Sequence, residues 1–465
     1  MKKTLMACLA VAALFAIAST ATAVTCTLDQ RPGATLLVPY FQVSVDPVTG
    51  AIVGTGPLSR DTIVTIANAS SAPMVAHVNV YDRQSVIQLD FNIALTGFDV
   101  QAMRMSDVIS GHLPITLNSV GDDVCQRNPA TSVYPNPDGF IRVSPTGPTN
   151  TPATSQDNVN GTTNYSGTFF SIATELATDC SGNDTGLAIG YVVIDHANYC
   201  NLSNPTDANY YIDDAIGMEN NLFGEIIFTS GNGLPTYGLS TVNLEADVTL
   251  GAATLAWADG GPLARTFYAR YIDLTNETTC TNCGSGNPDT DLSISAPWDE
   301  GFGDQREPLG LRWAARWFDL TAAGILTSNF QVWRGSESFN GNCATAEATT
   351  SLTFWDEDEL TVTAGVCPSP CTQPLFNFPL ETQQRNITEF VHPTGTPAGW
   401  VQMDFSGGDS LDQAWVSYSF EGSIALESIL VQGTQLDPNS CDPLNVTGVA
   451  IINPVVPSLP TGIGR

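Results

Sequence analysis

The sequence predicts an all-β protein built from antiparallel strands. Apolar and polar side chains alternate with a period of two along most of the chain, which is the pattern of strands with one buried face. Charged residues make up only 14% of the chain, against roughly 25% in typical globular proteins. Because polar turns separate these strands, the pattern favours a sandwich or a barrel over alternating strands and helices.

Strands are predicted throughout the first half of the chain, each followed by turn-forming residues. A segment at 144–166 is nearly free of apolar side chains, so it is predicted to be a long surface loop. The predicted strands of this half cover residues 36–45, 62–67, 75–81, 89–95, 100–109, 187–194, 223–229 and 242–248.

The second half is predicted to begin near residue 250. One of its segments, residues 309–320, is ambiguous. Its alternating Leu309, Leu311 and Trp313 fit a strand face, whereas Arg312 and Arg316 would share a helix face. The strand is favoured because its neighbours are strand-like. Those neighbours, with an earlier segment, cover residues 266–272, 329–333 and 351–355.

A short internal echo links the two halves. Val-Tyr-Asp at residues 80–82 and Phe-Trp-Asp at residues 354–356 each precede an alternating segment. These alternating segments lie at 89–95 and 375–380, and glycine-led segments follow at 139–143 and 399–403. This order is similar to that of Ig-like β-sandwich modules of exported bacterial proteins. The resemblance implies two divergent antiparallel β-sandwich modules with long loop insertions, at 24–250 and 251–465, and it implies no catalytic residue.

The first 23 residues are predicted to be an export signal. Lys2 and Lys3 form a basic start, an apolar run follows, and Ala21-Thr22-Ala23 is a small-x-small cleavage site. The apolar run is shorter than the roughly 20 residues of a membrane span. We therefore expect a protein that is secreted or held on the extracellular surface, with the periplasm as the alternative and with no membrane span.

Cysteine usage agrees with export. One of the eleven cysteines, Cys8, lies in the signal, and an even number remains, which predicts a disulfide-stapled fold with up to five bridges. Cys280 and Cys283 also have zinc-knuckle spacing, but disulfides are the better interpretation in an exported chain. The candidate disulfide residues are Cys26, Cys125, Cys180, Cys200, Cys280, Cys283, Cys343, Cys367, Cys371 and Cys441.

The charge balance limits the classes of partner that the chain can bind. The formal net charge is −31, and both lysines lie in the signal. Such an acidic protein repels nucleic acid. Acidic residues with one-residue spacing in turn-rich loops suit calcium, which takes six to eight oxygen ligands. Calcium is therefore the one candidate cofactor, with Asp289, Asp291, Asp356 and Asp358 as candidate ligands.

No pattern in the sequence announces a reaction. Neither a Gly-x-Ser-x-Gly elbow nor a His-Glu-x-x-His motif occurs. Asp195-His196 is a weak catalytic or metal candidate, and a local hydrogen bond of His196 at a strand end is the favoured alternative. We therefore expect a non-enzymatic structural, adhesive or assembly protein, capable of forming filaments.

The sequence suggests two classes of partner. The first is a second molecule of the same chain, because apolar segments at 36–45 and 449–456 are candidates to complete the sheet edge of a neighbour; the alternative is that both segments pair within their own chain. The second class is other surface proteins. The alternative function is a secreted carbohydrate-binding protein or hydrolase. That alternative would use the acids and the tryptophans of the second half, among them Trp298, Trp313, Trp317, Trp333, Trp355, Trp400 and Trp415.

Overall fold

The computed structural model describes slightly less than half of the chain. The described residues are 31–46, 49–54, 59–85, 87–110, 114, 173, 176–177, 186–198, 205, 210, 216–230, 235–246, 267–268, 306, 309–320, 326–335, 351–364, 378, 380–393, 396–405, 413–422 and 429–436. They form antiparallel β-sheets with almost no helix, so the all-β prediction is confirmed. Within these residues, no helix is long and apolar enough to cross a membrane.

Nine described strands and one short helix precede residue 250. They are β1 (Thr35–Ser44), β2 (Arg60–Asn68), β3 (Met74–Asp82), β4 (Ile87–Leu95), β5 (Val100–Arg104), α1 (Met105–Ile109), β6 (Leu187–Ala197), β7 (Leu222–Ser230), β8 (Pro235–Ser240) and β9 (Val242–Leu244). They build a five-stranded sheet in the order β4-β3-β6-β1-β9, named here the tyrosine sheet, and a four-stranded sheet in the order β5-β2-β7-β8.

The nine described strands after residue 250 build two further sheets. They are β10 (Arg312–Phe318), β11 (Leu326–Gly335), β12 (Ser351–Asp356), β13 (Thr361–Ala364), β14 (Thr382–Asn386), β15 (Ala398–Asp404), β16 (Gln413–Gly422), β17 (Ile429–Gln432) and β18 (Thr434–Gln435), with a 3-10 turn at Ile387–Glu389. The five-stranded sheet, named the tryptophan sheet, has the order β13-β12-β15-β10-β18, and the four-stranded sheet has the order β14-β11-β16-β17.

The strand order of the two halves is the same. Each strand of the second half occupies the place of the strand nine positions earlier, in both the five-stranded and the four-stranded sheet. The echo seen in the sequence is right for β3 and β12, which end in Tyr81-Asp82 and Trp355-Asp356. It is wrong for the following segment, because the counterpart of β4 is β13 and not residues 375–380. It is also wrong for the glycine-led segments, because β15, which contains residues 399–403, is the counterpart of β6 and not of residues 139–143. Residues 139–143 lie outside the described residues.

In each half, apolar side chains of the five-stranded and the four-stranded sheet share one core. In the first half this core includes Val78 and Phe91 from one sheet and Val64 and Phe228 from the other. In the second half it includes Trp317, Phe354, Phe330 and Val416. Such a large buried apolar area is the main favourable contribution to folding.

Most predicted strands are present, and three predictions need correction. The segment 100–109 is a strand only to Arg104, because Met105, Val108 and Ile109 are buried at the three- and four-residue spacing of a helix. In the segment 242–248, the strand covers Val242–Leu244, Ala246 forms a single β-bridge, and residues 247–248 lie outside the described residues. Phe267 and Tyr268, from the segment 266–272, lie in a turn. The ambiguous segment 309–320 is a strand over Arg312–Phe318.

The first apolar segment is not an open edge. Strand β1 pairs with β6 on one side and with β9 on the other, and all ten of its residues are buried. It therefore pairs within its own chain and is not available to a neighbour's sheet in this structure. The other apolar segment, 449–456, lies outside the described residues.

Candidate interaction surface

Many of the predicted site residues lie outside the described part of the chain. These are the ten candidate disulfide cysteines and two of the candidate calcium ligands, Asp289 and Asp291. His112 and Trp298 also lie there. The disulfide and calcium hypotheses at these positions therefore stay predictions.

Asp356 and Asp358 lie in the turn that follows β12. The Oδ1 atom of Asp356 accepts hydrogen bonds from the backbone N–H groups of Asp358 (2.9 Å) and Leu360 (2.8 Å). Glu359 has a positive φ of 64°, which this cap helps to hold. Among the described residues, no group of three or more His, Cys, Asp or Glu side chains could hold a metal ion. The geometry of Asp356 is that of a turn cap.

The same turn follows β3 in the first half. Oδ1 of Asp82 accepts a hydrogen bond from the backbone N–H of Gln84 at 2.8 Å. Ser85, three residues after Asp82, has a positive φ of 68°. The aromatic-Asp pair of the echo therefore marks a turn, which explains why the aspartate is needed at both places.

The two residues Asp195 and His196 do not form one catalytic pair. Neighbouring residues of a strand point to opposite faces. The Nδ1 atom of His196 lies 2.8 Å from Oε2 of Glu219, and the hydrogen bond from His196 lowers the pKa of Glu219 to about 2. Near the end of β6, His196 therefore contacts Glu219 of a later segment, and the expectation of a local hydrogen bond stays a prediction.

Asp195 is instead the centre of a fully buried polar cluster. Its carboxylate accepts hydrogen bonds from the hydroxyl groups of Thr35, Tyr210 and Tyr268. Arg306 is also fully buried, with its Nε atom 3.6 Å from Oδ1 of Asp195. Burial, and next the nearby charge of Asp195, raise the pKa of Tyr268. With no solvent access, this arrangement holds chain segments together and offers no place for a substrate.

Arg306 is itself held from several directions. Its Nε donates to Oγ1 of Thr35 (2.7 Å), and its Nη2 donates to the carbonyl oxygen of Gly217 (2.8 Å). Its guanidinium group also lies 5.8 Å from the ring centroid of Tyr268. Arg306 therefore links Thr35 of β1 to Gly217, which follows β6.

The most prominent accessible feature is a pair of stacked tryptophans on the outward side of the tryptophan sheet. We call this side, which carries Trp355, Trp400, Arg316, Thr353 and Gln402, the tryptophan face. The rings of Trp355 and Trp400 lie 3.9 Å apart with an interplanar angle of 5°, and both residues are half-buried. Such an aromatic pair contributes about 0.5–1.5 kcal/mol beyond its buried area.

The core side of the sheet holds the stack in place. The indole N–H of Trp317 donates to the carbonyl oxygens of Trp355 and Trp400, at 3.1 Å each. A side chain at Gly399 would collide with the carbonyl oxygen of Trp355 and the ring of Trp317. Gly399 therefore allows β12 and β15 to pair directly above the buried indole.

Charged side chains border the stack. Arg316 lies opposite Trp400 in the pairing of β10 with β15, and its Nη2 donates to Oε1 of Glu357 at 3.0 Å. Arg312 and Asp404 form a second pair at 3.1 Å on the same side of the sheet. The tryptophan face is thus an apolar centre with a charged rim, which is the composition of protein interaction surfaces.

The equivalent side of the tyrosine sheet, named the tyrosine face, carries a matching stack. Tyr81 and Tyr191 occupy the positions of Trp355 and Trp400, since both pairs lie directly opposite each other in their sheets. Their rings are 4.5 Å apart with an interplanar angle of 2°. Gly190 takes the place of Gly399, with the ring of Phe41 beneath it.

The second half covers the tyrosine face. The ring centroid of Trp333, on β11, lies 6.0 Å from that of Tyr191. Oγ1 of Thr382 donates to the carbonyl oxygen of Pro39 (2.6 Å), and the backbone N–H of Glu381 donates to that of Arg83 (2.8 Å). As a result Tyr81 and Tyr191 are both fully buried.

The other described tryptophans are not part of an accessible surface. Trp313, Trp317, Trp333 and Trp415 are buried, so they pack in the interior and do not form a sugar-stacking platform. Sequence reasoning did not single out the Trp355–Trp400 pair. The signal was present in the aromatic-Asp and Gly-aromatic dipeptides of the echo, but their pairing across strands depends on the register.

No protein-family model matches this chain, and neither a curated protein nor a solved structure is significantly similar to it.

Proposed function

We propose that this chain is an exported, non-enzymatic structural or adhesive protein, built from two Ig-like β-sandwich modules, that binds another protein through its tryptophan face. One observation carries the proposal: equivalent faces of the two halves differ in cover. The rings of the tyrosine face are fully buried beneath the second half, whereas the aromatic stack of the tryptophan face is partly exposed. Partly exposed aromatic residues with an arginine nearby are the side chains that dominate protein interfaces.

The test compares where the protein is found when its stack is removed. The double variant Trp355→Ala/Trp400→Ala, produced in the native cells, is expected to pass from the cell-surface fraction into the medium. The control is Val391→Ala, which shortens an exposed apolar side chain outside the strands. Equal surface retention of the double variant and the native protein would contradict the proposal, provided that circular dichroism shows both to be folded.

A carbohydrate-binding protein is the second candidate, because each ring of the Trp355–Trp400 stack has one side that its partner does not cover. A glycan array distinguishes it from the first. Binding of a saccharide that disappears in Trp400→Ala would favour carbohydrate recognition, and saccharide hydrolysis that persists in this variant would point to a hydrolase site elsewhere. Trp313→Ala is unsuitable for this test because Trp313 is a core residue.

A further inference from the structure

In the contact between the two halves, the four-stranded sheet of the second half contributes one surface. The equivalent surface of the first four-stranded sheet has residues that are exposed to solvent. Trp333 of β11 contacts the tyrosine face, and it is flanked in its own sheet by Thr382 of β14 and Trp415 of β16. These three residues form a row across the second four-stranded sheet. We call it the covering row, because its central residue, Trp333, lies against the ring of Tyr191 in the aromatic stack of the first half.

The first four-stranded sheet carries a row at the same position. An equivalent hydrogen bond in each half shows which residues of the two sheets correspond. Oγ1 of Thr62 accepts from the backbone N–H of Gln42 (3.0 Å), and Oγ of Ser328 accepts from the backbone N–H of Phe318 (2.8 Å). Ala67 lies five residues after Thr62, as Trp333 lies five after Ser328.

The equivalent row is therefore centred on Ala67. Ala67 is flanked by Val100 of β5 and Phe223 of β7, as Trp333 is flanked by Thr382 and Trp415. We call these three residues the apolar row.

The two outer residues of the apolar row are exposed to solvent, and Ala67 between them is buried. Val100 is 61% exposed and Phe223 is 43% exposed, and Phe98, at the turn before β5, is 70% exposed. Phe98 has a positive φ of 59°, a conformation that costs a bulky residue free energy. Val100 and Phe223 thus expose apolar side chains at one end of this sheet, and Phe98 is exposed in the turn that precedes β5. Exposed apolar surface of this kind marks interaction sites.

We propose that a second copy of this chain binds the tryptophan face, by placing its apolar row over the Trp355–Trp400 stack. The inference rests on the proposed function and names its partner. Inside one molecule, the four-stranded sheet of the second half covers the aromatic stack of the first. Between molecules, the four-stranded sheet of the first half covers the aromatic stack of the second in the same way. The two surfaces are different, so the contact is head-to-tail and extends into a filament.

The net charge of the chain determines how the association of two copies depends on salt. A formal net charge of −31 opposes the approach of two copies, and salt screens this repulsion with a Debye length of about 8 Å at physiological ionic strength. Association through two apolar surfaces is therefore expected to strengthen as salt is raised, whereas one carried by ion pairs would weaken.

Two single variants test the contact by complementation. Trp400→Glu blocks the tryptophan face and Phe223→Glu blocks the apolar row. A carboxylate buried in an apolar contact is expected to weaken association by about 100-fold or more. In analytical ultracentrifugation, the native protein should form species larger than dimers as concentration rises, and each variant alone should remain monomeric. An equimolar mixture should form a dimer and nothing larger, because one variant contributes an intact apolar row and the other an intact tryptophan face.

The mixture also controls for misfolding, since a misfolded variant cannot supply the intact surface. Val391→Glu, which adds the same charge at another exposed apolar residue, should assemble like the native protein. A native protein that stays monomeric at all salt concentrations, or a mixture that forms no dimer, would overturn the inference. If the native protein is monomeric while Trp355→Ala/Trp400→Ala is still released from cells, the tryptophan face binds a different protein and the proposed function stands.

Discussion

Tyr81 and Tyr191 stack on the outward side of the first half, and Trp355 and Trp400 stack at the equivalent positions of the second. The strand order, the glycine beside the stack and the aspartate-capped turn are the same in both halves. Only the cover differs. One framework can therefore serve as an internal contact in one half and as an accessible surface in the other, according to the residues that its outward side carries.

The residues beside the stacks show how the cover changes their chemistry. Asp195 and Asp404 occupy equivalent positions on β6 and β15. Asp404 is partly exposed and pairs with Arg312, its neighbour across the strands. Asp195 is fully buried, and it is surrounded by Arg306 and three hydroxyl groups. A carboxylate that loses its water needs this many partners, because a buried charge without them is very unfavourable.

The largest expected difference between the halves is in how much stability is lost when the arginine of each ion pair is replaced. Arg306→Met leaves the buried carboxylate of Asp195 without its cation, which is expected to cost about 3–5 kcal/mol. Arg312→Met is expected to cost about 1 kcal/mol or less, because its pair with Asp404 is partly exposed. Unfolding in guanidinium chloride measures both.

The double variant Asp195→Asn/Arg306→Met serves as the control for the buried pair. It should be more stable than Arg306→Met alone, because the charge has been removed together with its partner. Similar losses for Arg306→Met and Arg312→Met would contradict the different burial of the two faces.

The second-largest expected difference in stability between the halves comes from truncating the aromatic stacks. Tyr191→Ala removes a fully buried ring that contacts Tyr81 and Trp333, and the expected loss is about 3–4 kcal/mol. Trp400→Ala removes a larger ring that already has water on one side, so its loss should be about 1–2 kcal/mol. Thermal unfolding of the two variants orders them. A greater loss for Trp400→Ala would mean that the tryptophan face is covered.

The two glycines beside the stacks are expected to behave alike. Gly190→Ala and Gly399→Ala each push a methyl group into a carbonyl oxygen and an aromatic ring. Overpacking of this kind costs about 1–3 kcal/mol, and the values for the two variants should agree within about 1 kcal/mol. Unequal unfolding midpoints, after correction for the slope, would indicate that the close approach of strands is not shared between the halves.

Much of the fold could be predicted from the sequence, since alternation alone located β1, β2, β3, β6 and β7. The burial of those strands could not. Every residue of β3 is buried, including the polar His77 and Asn79. Their side of the sheet lies beneath other parts of the chain, and contacts between residues far apart in sequence leave no local period.

The candidate site was predictable only in part. The echo pointed to Trp355-Asp356 as a repeated pair, but it did not show that the carboxylate of Asp356 caps a turn. The partner of Trp355 could not be found from spacing, because β15 joins β12 only through the crossing order of the sheet. The apolar row also joins three strands, so its residues are distant in the sequence.

The smallest expected difference between the halves is in how their stability changes at low pH. His196 and Phe405 are equivalent, so the first half has a titratable contact, His196–Glu219, where the second has a phenyl ring. The pKa of Glu219 is about 2 in the folded protein, against an ordinary value of 4.5. Between these values the unfolded chain binds the extra proton, so the contact stabilises the fold fully above pH 4.5 and is lost as the pH falls towards 2. Because Glu219 is mostly exposed, the effect should stay below about 1 kcal/mol. Glu219→Gln should therefore lower stability slightly at pH 7 and have no effect at pH 2. A constant difference between variant and native protein across this range would show that the carboxylate does not carry the contact.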